Sequence, residues 1–276
     1  MSAAPWAYRW VKAGGIRTRY IEAGDGPPLV LCHGGGPGYA ADLAWPKNVP
    51  ELAKHFRVLA IDVLGHGETD KPAGLLYSHQ DQVDHLASFI DTLCLQPLYL
   101  AGNSMGAYQV FKLALDHPDW VRKVMGISSG TISHAMGLDH RPPPWEYTWT
   151  VESLAKGVAA TLLHPPDMDI VRKRHEHSLR PGAREAYEAM TAYARRLRQD
   201  SNLLQRFQVQ DRLPRMTIPA KIIWGREDRF APVTFAKDLQ ALLPNIPIEI
   251  VENAGHQVQH DAPHEVNRRM IAFFQE

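Results

Sequence analysis

Ser104 stands between Gly102 and Gly106 in the stretch LAGNSMGAY (100–108), at the end of an apolar run and just before a segment with helical patterning. A serine hydroxyl is a poor nucleophile at neutral pH, so chemistry at Ser104 requires a base, and the base requires a carboxylate to orient it. Glycines on both sides suit a serine held on a sharp strand-to-helix turn, where a side chain at either position would collide across the turn. The chain supplies the partners later, in the order Ser, acid, His. Asp228 follows the apolar run AKIIWG, and His256 follows IEIVEN. Taken singly, Asp228 could be a helix cap and His256 one surface histidine of fourteen. Three residue types falling at three strand ends in working order make the catalytic reading the stronger one.

Such chemistry also needs donors for the charge that develops on a carbonyl oxygen. The run HGGGPG, His33 to Gly38, follows another apolar strand, and its glycines expose backbone N–H groups without steric cost. The expected oxyanion donors are the N–H of Met105 with that of Gly35 or, as a second choice, Gly36. A phosphate-cradling loop is disfavoured, because neither a following Lys-Ser/Thr pair nor a GxGxxG spacing is present.

These residues need a scaffold that brings strand ends together. Short apolar runs at Pro27–Cys32, Phe56–Asp62, Pro97–Asn103, Val121–Ser128 and Ala220–Gly225 alternate with amphipathic segments. Continuous apolar runs are the signature of buried parallel strands, so the fold class is α/β, a mostly parallel central sheet flanked by helices. Tyr8–Lys12 and Ile16–Ala23 form an opening hairpin turned at Gly14 and Gly15. Helices are expected over Gln80–Leu95, Met105–His117, Pro232–Leu243 and Pro263–Phe274. Strand patterning vanishes between about Ile132 and Gln205, where Pro142–Pro144, Trp145, Tyr147, Trp149 and REAYEAMTAYARRLR occur. We read residues 132–205 as an inserted helical cap, and residues 1–131 with 206–276 as the core.

Thirty basic residues balance thirty acidic ones in the 276-residue chain, with no polybasic block. That excludes nucleic acid and anionic membranes as expected partners and favours a small molecule. Oligomeric state stays open, a homo-oligomer included. Cys32 and Cys94 both sit in apolar surroundings and are expected as buried free thiols, which suits a reducing cytoplasm. MSAAPWAYRWVKAGG lacks the apolar region of a signal peptide, and no apolar run reaches membrane-spanning length. A soluble cytoplasmic protein is expected.

Together the motifs resemble the α/β-hydrolase fold family, and DVLGHGETDKP (62–72) matches the turn after its fourth strand. Within it, HGGGPG, GNSMG, WGREDRF and AGHxxQ look like the carbon-carbon bond hydrolases that act on meta-ring-fission products of aromatic catabolism. The resemblance implies a cofactor-independent serine-type hydrolase acting on a 2-hydroxy-6-oxo-hexa-2,4-dienoate. His256 is then the proton shuttle, Ser104 the nucleophile or water activator and Asp228 the orienter. It further implies that a cap arginine, best matched by Arg174, binds the substrate carboxylate, with Asn103 at the same end of the substrate and Phe230 lining the pocket.

Two positions depart from that pattern. Gln257 stands where the family commonly has Trp after the histidine, and Ala44 stands where an Asn is common, Asn48 coming too late. Both belong to the carboxylate or dienol end of the pocket, so ring-cleaved heteroaromatics, plain esters and lactones are all admissible substrates. A carboxylesterase or lactonase, a cofactor-free oxygenase and a ligand-binding receptor on the same fold are the competing readings. Dehalogenases and epoxide hydrolases are disfavoured, since their elbow nucleophile is a carboxylate. The cap histidines His134, His140, His164, His175 and His177 lack metal-ligand spacing, so no metal site is expected. Trp145, Tyr147 and Trp149 suit a pocket wall and cap packing equally.

Overall fold

The opening hairpin follows from its turn chemistry. Gly14 and Gly15 both have positive φ, which pairs Ala13 with Ile16 across a two-residue turn. A computed structural model describes residues 5–129 and 145–276, and there this hairpin becomes β1 (Ala7–Ala13) and β2 (Ile16–Ala23). The apolar runs become β3 (Pro28–Cys32), β4 (Arg57–Ile61), β5 (Leu98–Asn103), β6 (Val121–Ile127), β7 (Ala220–Gly225) and β8 (Ile248–Val251). They form one eight-stranded sheet in the order β1-β2-β4-β3-β5-β6-β7-β8. Pairing is antiparallel only for β1 with β2 and β2 with β4, and parallel from β4 through β8. Chain order and sheet order reverse about β3, so the crevice beyond the carboxyl ends of the parallel strands is where this architecture places a ligand.

Helices cover both faces because both faces of the central strands are apolar. In chain order they are α1 (Ala41–Ala44), α2 (Val49–Leu52), α3 (His79–Thr92), α4 (Met105–Asp116), α5 (Val151–Ala159), α6 (Met168–Ser178), α7 (Ala183–Gln199), α8 (Ser201–Phe207), α9 (Val233–Leu242), α10 (Val258–Asp261) and α11 (Pro263–Gln275). Ser78 and Asp81 form a capping box that starts α3. In α11, Val266, Met270, Phe273 and Phe274 are buried as the helical spacing requires. The helices α5 to α8 lie between β6 and β7, where strand patterning is missing from the sequence. His134, His140 and Pro142–Pro144 lie outside the described residues.

A buried ion network fixes the turn after β4. Arg19 bonds Asp62 through Nε at 2.6 Å and Asp42 through Nη2 at 2.7 Å, while Asp62 also accepts from the N–H groups of Ala41 and Glu68. With a further bond from Arg19 Nη2 to Asp62 at 3.2 Å, four donors face the two oxygens of that buried carboxylate, which is what makes its burial tolerable. One expectation is corrected. Cys32 is buried, and burial drives its thiol pKa upward, but Cys94 is exposed. It follows α3 with φ of 49°, in a turn that buries the next residue, Leu95, instead. Among the described residues, no helix is long and apolar enough to cross a membrane.

Candidate active site

The site is built where β5 meets α4. Ser104 has φ of 53° and ψ of −116°, a conformation that non-glycine residues avoid, and its N–H is held by Ile127 O at 2.9 Å. The flanking glycines are explained by contact. A Cβ on Gly102 would lie 2.3 Å from Gly106 O, and one on Gly106 would lie 2.4 Å from Cys32 O. The elbow is thus wedged against the end of β3. Met105 is the first residue of α4, so its N–H is one of the unsatisfied donors at the positive end of the helix.

The glycine loop after β3 is set by His33. Its Nε2 accepts from Val63 N–H at 3.1 Å, which leaves Nδ1–H to donate to Gly34 O at 2.7 Å. Burial pushes the His33 pKa down to about 4, so the ring is a neutral strut. The three glycines face different neighbours. A Cβ on Gly34 would meet Asn103 Oδ1 and Ser104 Cβ, on Gly35 the Met105 side chain, and on Gly36 the Nη2 of Arg174 at 2.9 Å. Gly35 therefore lies beside the residue after the serine, whereas Gly36 lies beside the arginine.

Asp228 and His256 come from the turns after β7 and β8. His256 Nδ1 lies 2.8 Å from Asp228 Oδ2, with side-chain exposures of 6% and 0%. The other carboxylate oxygen accepts from Phe230 N–H at 2.9 Å and Ala231 N–H at 2.7 Å, which locks its rotamer. His256 Nε2 is buried with no hydrogen-bond partner among the described residues. Ser104, His256 and the glycines line one cavity of about 300 Å³.

Arg174, on α6, reaches this cavity from above the core. It is buried, donates through Nε and Nη2 to Pro37 O at 3.3 and 3.2 Å, and lies 4.2 Å from the centre of the Tyr39 ring. Among the described residues no carboxylate pairs with it, and burial lowers its pKa. A desolvated guanidinium without a counter-ion has the chemistry to pair with an anion.

Phe230 and Gln257 also line the cavity, Phe230 with its ring 4.7 Å from that of His256. Asn103 lines it too, but both its amide protons are engaged, by Ile127 O at 3.2 Å and His256 O at 3.1 Å. Ala44 is buried in α1, and Asn48 bonds Asn267 on α11 at 2.8 Å. Of the three cap aromatics, Trp145 lines the cavity. Tyr147 instead bonds His175 and Ser178, and Trp149 packs on Tyr187.

Tyr39, His79, Leu154, Val158 and Thr161 line the cavity without having been singled out from sequence. Tyr39 had a signal, an aromatic directly after HGGGPG. Leu154 and Val158 on α5 had none, because pocket-facing and core-facing apolar positions share one periodicity. Tyr39, Val158, Arg174 and Gln257 also border a second cavity of about 220 Å³, at whose rim Lys47 and His164 are exposed.

A family description for the alpha/beta hydrolase fold matches residues 27–263. The chain is 32% identical to the 2-hydroxymuconate semialdehyde hydrolase of Pseudomonas sp. strain CF600, over 94% of this chain and 91% of that protein. It is also 32% identical to a 2-hydroxy-6-oxo-2,4-heptadienoate hydrolase of Pseudomonas putida, over 91% of this chain and 90% of the other. Among solved structures, a meta-cleavage product hydrolase from Pseudomonas fluorescens IP01 superposes with a TM-score of 0.83 at 26% identity, covering 97% of both chains. With a buried acid-histidine pair beside a serine elbow and kinship along nearly its whole length, this chain belongs to the α/β-hydrolase fold family and within it resembles the meta-cleavage product hydrolases.

Proposed function

We propose that this protein hydrolyses the carbon-carbon bond beside the 6-oxo group of a 2-hydroxy-6-oxo-hexa-2,4-dienoate-type ring-fission product. The observation that carries this reading is the buried Arg174, without a carboxylate partner among the described residues, lining the same cavity as Ser104 and His256. Such a cavity takes a substrate with a carboxylate at one end and a carbonyl further along. An esterase for neutral substrates has no use for a desolvated cation there.

In the first stage the 2-hydroxyl loses its proton and C5 gains one, converting the dienol to its keto tautomer. His256 Nε2, buried and unpartnered, is the group we assign to carry that proton. In the second stage oxygen from Ser104 or from water activated by it adds to the C6 carbonyl. Asp228 holds His256 in the tautomer that accepts this proton. Charge on the C6 oxygen falls to the N–H groups of Met105 and Gly35, the latter chosen over Gly36 because it lies beside Met105. The C5–C6 bond then breaks and its electron pair passes through C4 and C3 onto the 2-oxygen of the departing fragment. His256 returns the proton to that oxygen, giving a carboxylic acid and a 2-hydroxydienoate. Where Ser104 is acylated, water repeats the addition to release the acid.

Arg174 holds the substrate carboxylate, Gln257 borders it, and Phe230 packs against the reacting carbon. Asn103 is a positioning residue that ties the elbow to the His256 loop. Of the cap read over residues 132–205, the described residues 145–205 supply Trp145, Leu154, Val158, Thr161 and Arg174 to the cavity wall.

The test is spectrophotometric. The wild type should bleach coloured 6-substituted dienoates far faster than it cleaves p-nitrophenyl esters or lactones, and Ser104→Ala should lose that turnover. Fast ester cleavage without dienoate bleaching would overturn the reading.

A further inference from the structure

Among the described residues, and Ser104 and His256 apart, the polar side chains around the cavity divide into those with a hydrogen-bond partner and one without. Tyr39 and Gln257 bond each other at 2.6 Å, Thr161 receives Gln257, Asn103 is held by Ile127 and His256, and Trp145 donates to Ser153 O at 2.5 Å. His79 is the exception. It lines the same cavity, and its Nδ1 is buried with no hydrogen-bond partner among the described residues.

His79 is held rigidly without being satisfied. It is the first residue of α3, behind the Ser78 cap, and its ring is packed by Phe207 at 4.5 Å, Tyr108 at 5.3 Å and Tyr193 at 5.9 Å between centroids. None of these rings competes for its nitrogens. Tyr108 donates its hydroxyl to Phe207 O at 2.8 Å. Nδ1 is therefore the ring nitrogen left for a ligand in the cavity to satisfy. Burial keeps the ring neutral, with its pKa lowered to about 4, so it offers one hydrogen bond rather than a charge.

Among the described residues, His79 and Arg174 share no hydrogen-bond or ring partner. Arg174 lies against Pro37, Tyr39 and Gly36, whereas His79 lies against α4 and the end of α8. With separate surroundings, His79 is available to the part of a substrate that lies away from Arg174, and in a dienoate held there by its carboxylate that part is the group beyond the 6-oxo carbon.

We infer that His79 reads the substituent on the 6-oxo carbon and selects an aryl group that carries an amino or hydroxyl group over a bare phenyl or methyl. This rests on the proposed cleavage for its orientation, and on cavity geometry for the site itself. A buried site that offers a hydrogen bond discriminates strongly against an analogue that leaves it unpaired.

The test uses the acids that such cleavage would release, which makes it independent of turnover. Calorimetric titration would compare benzoate with the three aminobenzoates and three hydroxybenzoates on the wild type, His79→Leu and His79→Gln, each checked for cooperative melting. At least one substituted acid should bind the wild type about tenfold tighter than benzoate. That ratio should fall to near one in His79→Leu and partly return in His79→Gln. A wild-type ratio near one, the same ratio in His79→Leu, or no binding of any acid would overturn the inference. Selective acid binding without dienoate cleavage would retain His79 as a recognition group while overturning the proposed reaction.

Discussion

Tyr39 donates its hydroxyl to Gln257 Oε1 at 2.6 Å, joining the loop after β3 to the residue that follows His256 across 218 positions of sequence. Gln257 also donates to Thr161 Oγ1, and its own N–H bonds Thr161 O at 3.1 Å. Gln257 is therefore bonded at its side-chain oxygen, its side-chain nitrogen and its backbone N–H, and it links the core to the segment after α5.

The consequence can be measured. In Tyr39→Phe the Gln257 carbonyl loses its donor while still buried, and leaving such an acceptor unmade costs about 1–3 kcal/mol. Urea unfolding should show that loss as a lower midpoint with unchanged slope. An unchanged midpoint would mean that water replaces the hydroxyl.

Asp228→Asn tests the acid-histidine pair. Its remaining carbonyl oxygen can still accept from Phe230 and Ala231, so the turn should hold while an amide N–H faces His256 Nδ1 in place of an acceptor. The ring is then held in the wrong tautomer, and in the serine-protease precedent the analogous change lowers kcat about 10⁴-fold. Stopped-flow bleaching of a dienoate should show a fall of that order with little change in melting temperature. Retained activity would remove Asp228 from the orienting role.

Arg174→Gln should separate binding from folding. The guanidinium has no carboxylate partner among the described residues, so its removal relieves a buried charge while losing the grip on the substrate carboxylate. A charge-assisted hydrogen bond contributes about 1.5–3 kcal/mol, so kcat/KM for dienoates should drop about 10- to 100-fold. Neutral p-nitrophenyl esters should be spared. Equal loss on both substrate classes would assign Arg174 to structure, through Pro37 and Tyr39.

Acid should destabilise the fold in a defined window. Burial lowers the pKa values of His33, His85 and His260 to about 4 and that of His66 to about 3, against an ordinary value of 6.5. Below pH 6.5 the unfolded chain takes up protons that these folded rings refuse. Their stabilising contribution is complete above that pH and is lost as pH falls toward 4 and 3. Each group adds a slope approaching about 1.4 kcal/mol per pH unit inside the window. Urea midpoints at pH 7, 6 and 5 should fall progressively. A flat profile over that range would contradict the burial of these rings.

Most of the sheet was legible because its strands are continuous apolar runs that end at glycine-rich turns. The elbow was legible because Gly102 and Gly106 have no steric alternative at contacts of 2.3 and 2.4 Å. Ser104, Asp228 and His256 could be read in order, since each sits at a strand end that the parallel sheet turns toward one crevice. Cys94 was misjudged, because apolar neighbours in sequence do not show which way a turn leaves a helix.

The sequence by itself determined the alternation of strands and helices, the strained serine turn and the order of the three catalytic candidates, all of which rest on local sterics and periodicity. Only the tertiary structure decided that Asn103 is held by the His256 loop, that Gly36 faces Arg174 while Gly35 faces Met105, and that His79 reaches the cavity with an unpartnered nitrogen. Those facts depend on contacts between residues distant along the chain. Side-chain direction and desolvation at such contacts are set by packing, which no local pattern encodes.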